Sequence, residues 1–334
     1  MIKEALAHAH FTHAEILLQD SLTRHAPGRL VGIVGMPGSG KTFLRNLVVR
    51  RIIGSPESWG TGKVHVTEVM ALLDINAKFS AKGFAARAHR SVLCPDLRSL
   101  YREATDEISE AYMRSLRDAD TAWRKGSAAS NTSESRYWAA FTEAAIGRDL
   151  KLLLVEHAAA IGKAQRGEEP KDHIWNLMSI LDQVGCMGIL NLIPEGFALW
   201  DGRPEIAERM DRIYIKPYDL RDREQLTEFA RIVLHVAEKY EWESENAVQD
   251  RIVDIGIATA TGMRALQELF ARADINAKRR GSGRICGKDI EDAYETETHI
   301  ANLWRQVDLL NRISKPATNG ALRDIHRDFV EAEL

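Results

Sequence analysis

Cysteine is scarce in this chain. Cys94, Cys186 and Cys286 lie far apart and form neither a metal-binding spacing nor a disulfide framework. That excludes a disulfide-stapled scaffold and fits a reducing compartment, so a cytoplasmic location is expected. Long apolar runs are absent, which excludes a membrane-spanning helix, and no membrane partner is expected. The opening residues Met1-Ile2-Lys3-Glu4 carry no signal-peptide pattern. Charge of one sign is lacking too. The net charge is −3 and the isoelectric point is near 6.4, so any contact with nucleic acid must come from a local patch. No internal repeat is visible. What the chain does have is length. Its 334 residues can bury a sizeable core and suggest more than one domain.

One stretch organises the rest. The apolar run Leu30 to Val34 leads into Gly35-Met36-Pro37-Gly38-Ser39-Gly40-Lys41-Thr42, and a helix is expected from Phe43 to Ile53. Strand, glycine loop and helix in this order are the context of a phosphate-binding P-loop. The glycines let successive backbone N–H groups turn inward. Lys41 is placed to meet the β- and γ-phosphates, and the Thr42 hydroxyl to ligate Mg²⁺. The helix N-terminus adds partial positive charge. The cofactors implied are ATP and Mg²⁺, with the loop residues and Phe43 as the binding set.

The rest of the chain supplies pieces in sequence. Residues 1–27 read as a helix with Ile16, Leu17 and Leu22 as apolar positions. Its His8, His10 and His13 lack the i, i+4 spacing of a helical zinc pair. A strand lies within Val64 to Ile75. Ser80 is placed to cap a helix that carries Lys82, Arg87 and Arg90, and Lys78 stands just before it. Four basic residues and no acid in this stretch read either as a solvated helix face or as a patch that contacts phosphates. Residues 100–124 read as helix, and Gly126 to Ser135 as a mobile loop. Leu150 to His157 is a buried parallel strand ending in a carboxylate, as an ATPase needs opposite its phosphates. Two consecutive acids usually stand there, and this chain has only Glu156. Either Val155 replaces the first acid, or Glu156 is the first and His157 replaces the second. Met187 to Leu192 is another strand, with Asn191 the candidate γ-phosphate sensor. Arg203, Arg209 and Arg212 precede an expected strand from Ile213 to Lys216. An arginine there is a candidate finger for a neighbour's nucleotide, Arg209 first and Arg212 as the fallback. From Asp219 the pattern is helical: Gln225 to Tyr240, a helix from Thr261 to about Lys278-Arg279-Arg280-Gly281 with Arg264 in its first turn, and Asp289 to Thr298. The tail from Leu303 is charged and breaks at Ser314-Lys315-Pro316.

In this order the pieces resemble an AAA+ ATPase over roughly residues 5–300. Within that class the chain resembles the TniB/TnsC family of transposition regulators, to which phage Mu B protein is related. Leu152-Leu153-Leu154-Val155-Glu156-His157 resembles the family's hydrophobic-Asp-Glu strand. Ile189-Leu190-Asn191-Leu192-Ile193-Pro194-Glu195 resembles its strand into Gly-Thr-Pro-Glu, with Ile193 in place of the usual threonine. Glu208-Arg209-Met210 resembles its finger segment, Gly262-Met263-Arg264-Ala265-Leu266 its sensor-arginine helix, and Ile285 to Ala293 the close of its lid. The resemblance implies an α/β P-loop NTPase core of AAA+ type, a parallel sheet with helices on both faces, followed by a small all-helical lid. The expected domains are 1–218, 219–300 and a 301–334 tail. The implied function is an ATP-dependent DNA-binding adaptor for transposition and DNA recombination. It assembles as a homo-oligomeric ring or filament on duplex DNA, without sequence preference, through Lys78, Lys82, Arg87 and Arg90. It recruits or activates a transposase at the target site, with a target-selection protein as a further expected partner. The incomplete acidic pair implies slow hydrolysis. The alternative is a signalling or defence ATPase whose nucleotide state gates oligomerisation.

Overall fold

A computed structural model of the chain describes residues 9–101, 105–125, 132–165, 167–244, 246–318 and 320–323. Five parallel strands form one sheet in the order β2-β3-β4-β1-β5. They are β1 (Leu30–Gly35), β2 (Val66–Met70), β3 (Leu152–Glu156), β4 (Met187–Leu192) and β5 (Met210–Ile215). Every residue of β1 and β4 is buried. Such strands read as unbroken apolar runs because both faces are covered. The edge strand β5 instead alternates buried and accessible positions.

Alternation along each strand sorts its side chains between two cores. One face takes Val31, Ile33, Leu152, Leu154, Ile189 and Ile213. Helices α1 (Ala9–Thr23) and α2 (Lys41–Ile53) cover it with Phe11, Leu18, Leu44, Val48 and Val49. The other face takes Val34, Leu153, Val155, Leu190 and Leu192. It is covered by α3 (Ala81–Leu93), by α5 (Glu134–Gly147), which follows α4 (Asp106–Lys125), and by α6 (Pro170–Val184). Ser80 caps α3 by accepting from the Gly83 N–H at 3.1 Å. After the short helix α7 (Pro204–Glu208) and β5, a third cluster gathers residues from Tyr218 to Ala293. Its helices are α8 (Arg223–Ala237), α9 (Asn246–Gln249), α10 (Ile252–Thr259), α11 (Met263–Arg279) and α12 (Gly287–Glu291). Helix α13 (Glu297–Ile313) then returns to the α/β core with Val307 and Leu310.

Several expectations change. The helix expected over 1–27 is seen from Ala9 to Thr23, and residues 1–8, with His8, lie outside the described residues. The loop expected from Gly126 to Ser135 is cut short: residues 126–131 lie outside the described residues, and Ser133 caps α5 through the Arg136 N–H. The edge strand begins at Met210 rather than Ile213, which puts Arg212 inside it, because Met210 and Ile213 both reach buried positions. The helix expected from Asp289 to Thr298 is two helices. The first stops at Glu291, and Thr296 caps a new one by accepting from the His299 N–H at 3.3 Å. The domain boundary expected at 300/301 therefore falls inside α13. Of the tail, residues 324–334 lie outside the described residues.

Candidate functional site

The loop from Gly35 to Thr42 leaves the carboxyl end of β1 and enters α2 directly. Gly38 and Gly40 hold φ of 74° and 88°, a region in which a Cβ is strained. A Cβ on Gly38 would also fall 2.2 Å from the Cβ of Arg264. Lys41 Nζ donates to the carbonyls of Gly35 at 2.9 Å and Met36 at 2.8 Å. Burial pushes its pKa down to about 8, against the opposing pull of Glu156. Met36 is buried, and Phe43 packs against Phe11 with ring centroids 5.9 Å apart. A cleft lined by Met36, Ser39, Lys216, Tyr218, Thr261 and Met263 opens beside Pro37 and the loop.

The strand ends complete this arrangement. Alternation turns Glu156 toward the α2 face and buries Val155 in the opposite core. Glu156 Oε1 accepts from the Thr42 hydroxyl at 3.0 Å and from Asn191 Nδ2 at 2.7 Å. Asn191 also donates to Thr42 Oγ1 at 3.3 Å. Glu156 therefore stands where the first acid of a pair would meet the hydroxyl expected to ligate Mg²⁺, and the exposed His157, at φ 55°, follows it. Two candidate residues 149 positions apart in sequence, Thr42 and Asn191, are brought into contact.

The residues fit the groups the motif implies. Ser39 Oγ and Asn191 Oδ1 are buried without a hydrogen-bond partner. An orphaned polar atom costs on the order of 1–3 kcal/mol, which a bound phosphate or its water shell would relieve. The Thr42 hydroxyl and the Glu156 carboxylate are hard oxygen donors of the number that Mg²⁺ uses when water and phosphate supply the remainder. Among the described residues, no group of three or more His, Cys, Asp or Glu side chains gathers to hold a metal alone.

Arg45 and Glu68 escape the sequence reading. Arg45 is fully buried, and it bridges Glu156 Oε1 at 2.6 Å and Glu68 Oε2 at 2.5 Å. Burial raises the pKa of Glu68 and Arg45 counters it. The signal was a charged residue on each buried face, Arg45 beside Leu44, Val48 and Val49, and Glu68 inside Val-Thr-Glu-Val.

Other candidates lie farther off. Arg264 begins α11 against the loop, while its guanidinium donates to Glu268 at 2.8 Å. Arg209 sits at the amino edge of the sheet, where its carbonyl accepts from the Leu30 N–H. Its side chain lies 3.9 Å from Asp182 and 6.0 Å from the Trp175 ring. The six residues of β1 separate that edge from the loop, about 20 Å at the usual rise of a strand. Arg212 is exposed on β5, and Arg203 is paired with Glu169 and Asp172. Lys78 and Lys82 are exposed, and Arg90 is half-buried. Arg87, expected in the same patch, is half-buried. Its Nε donates to the Met70 carbonyl at 3.0 Å, so it braces the β2–α3 turn, and burial lowers its pKa.

No family model matches the chain, and no curated protein matches it in sequence. Solved structures do resemble it. The Aeropyrum pernix ORC2 protein in its ADPNP–ADP complexes aligns with 86% of this chain and 69% of its own length, at 14% identity and a TM-score of 0.51. The Thermotoga maritima RuvB Holliday junction branch migration motor covers 85% of this chain and 67% of its own length, at 12% identity and a TM-score of 0.44. Strand order, flanking helices and helical C-terminal region define the fold as that of an AAA+ P-loop NTPase. Among the described residues, no helix is long and apolar enough to cross a membrane.

Proposed function

We propose that the chain is an AAA+ ATPase that assembles with ATP on duplex DNA, and more narrowly a TniB/TnsC-type adaptor that brings a transposase to its target. The observation that carries the reading is the separation of Arg209 from the phosphate loop. An arginine about 20 Å from its own nucleotide site, beside an edge strand, does not reach that site, so any nucleotide it contacts belongs to a neighbour. In this reading Lys41 and the loop amides hold the phosphates. Thr42 and Glu156 hold Mg²⁺, which would neutralise charge on the transferring phosphoryl group. Asn191 keeps Glu156 and Thr42 in register. With His157 where a second acid would activate water, turnover should be slow, below about 1 s⁻¹.

DNA is assigned to Lys78 and Lys82, with Arg90 beside them. The rival basic patch is Lys278-Arg279-Arg280 with Arg284 in the lid, where part of the charge is paired within the chain. Arg280 pairs with Asp289 and Glu243, and Lys278 with Asp274. The test is duplex binding with and without ATP at two salt concentrations. ATP-dependent, sequence-indifferent binding that weakens steeply with salt is expected. Absence of ATP-dependent DNA binding at every salt concentration rejects the transposition reading and leaves a nucleotide-gated signalling switch as the better account.

A further inference from the structure

Arg45 is a charged side chain with no solvent exposure. Its two outer nitrogens reach Glu156 and Glu68, and its Nε and Nη2 donate to Asn46 Oδ1 at 3.0 and 2.8 Å. Buried charge is stable only when paired and hydrogen-bonded, and this one is paired twice. The two carboxylates come from adjoining parallel strands, with Glu68 in register with Leu154, two positions before Glu156. Take the guanidinium away, and two carboxylates remain on the α2 face with no positive charge between them. Such a pair attracts a divalent cation.

We infer that Arg45 is a positioning residue that occupies, as a cation built into the chain, the charge position between Glu68 and Glu156, and so keeps Glu156 from capturing a metal ion before nucleotide arrives. The inference rests on the assignment of Thr42 and Glu156 as the cation ligands of the nucleotide site. All three donors to Glu156 fall on Oε1. The carboxylate is thereby held in one rotation, and Oε2 is left for the incoming ion. Without nucleotide, a divalent ion must compete with a guanidinium at 2.6 Å for a carboxylate already satisfied. With nucleotide, phosphate oxygens add the missing negative ligands. The metal requirement of the chain is thus tied to nucleotide by one side chain of α2.

Mn²⁺ titrated into nucleotide-free protein, with the unbound ion read by electron paramagnetic resonance, tests this directly. Arg45→Gln should bind Mn²⁺ at least about tenfold more tightly than the unaltered chain. Arg45→Lys keeps the charge and should restore weak binding. Adding Glu156→Gln to Arg45→Gln should erase the gain. Equal affinity in the unaltered chain and Arg45→Gln, or tight binding by Arg45→Lys, overturns the inference. If Arg45→Gln does not fold, Glu68→Gln replaces it. That change leaves Arg45 to Glu156 alone, so the Mg²⁺ needed to half-saturate a fluorescent ATP complex should rise severalfold, and an unchanged requirement overturns the inference. The same ATP analogue separates the two failures. If the unaltered chain binds none, the nucleotide assignment falls. If it binds and the Mn²⁺ contrast is missing, only the role of Arg45 falls.

Discussion

Lys41 rests on two backbone carbonyls of its own half-buried loop, and those contacts are the ones a phosphate would replace. Lys41→Ala should weaken ATP binding by roughly 10- to 100-fold, the loss of one charge-assisted contact worth about 1.5–3 kcal/mol. Calorimetry with an unchanged affinity would remove the loop from the account. Asn191 holds both Thr42 and Glu156, so Asn191→Ala should leave a partly buried carboxylate with one partner fewer. Weaker Mg²⁺ dependence and slower turnover are expected, with ATP affinity in EDTA nearly unaltered. A parallel fall in both would mean that Asn191 supports the fold alone. At this scale the loop was legible in the sequence because its function is written in consecutive residues. Arg45 was not, because its partners sit on β2 and β3. Nothing in a linear chain says that those two strands are neighbours.

Elements were legible in proportion to how local their signals are. β3 and β4 stood out because central parallel strands bury nearly every position. Helix α5 did not, since its start hides behind a polar run and is announced only by Ser133. The misread pair α12 and α13 shows the same limit. The residues from Asp292 to Thr296 carry mixed helical character, and only the Thr296 cap reveals the restart. Helix α12 also carries a testable electrostatic joint. Arg280 holds the buried Asp289 carboxyl down to about 2, helped by the Cys286 N–H. A carboxyl depressed from its ordinary 3.8 contributes stability above that value, and the contribution is lost as pH falls toward about 2. Thermal melts should therefore fall between about pH 4 and pH 2. Asp289→Asn should melt lower at pH 7 and show a flatter acid limb. Identical acid limbs for the two proteins would show that Asp289 carries no such load.

For the whole molecule the decisive question is whether one subunit completes another. Arg209→Ala should leave ATP binding by single subunits intact and abolish ATP-dependent assembly in sedimentation. Normal assembly by Arg209→Ala together with failure of Arg212→Ala would move the role along β5. Lys78→Ala/Lys82→Ala should assemble with ATP yet lose DNA, and it should reduce the salt slope by about two for two lost phosphate contacts. The helical C-terminal region was legible from the change of pattern at Asp219, but how this cap is attached was not. The cap joins the core through residues 216–222. It is fastened a second time by α13, which packs Val307 and Leu310 into the core while Trp304 donates to the Ile257 carbonyl of α10 at 2.9 Å. A third tie joins α1 to α8, where the Ala9 N–H donates to Glu228 Oε1 at 3.0 Å. A lid strapped at one corner flaps, whereas one latched along its rim stays seated, and this one is latched with Gly38 and Arg264 at the seam.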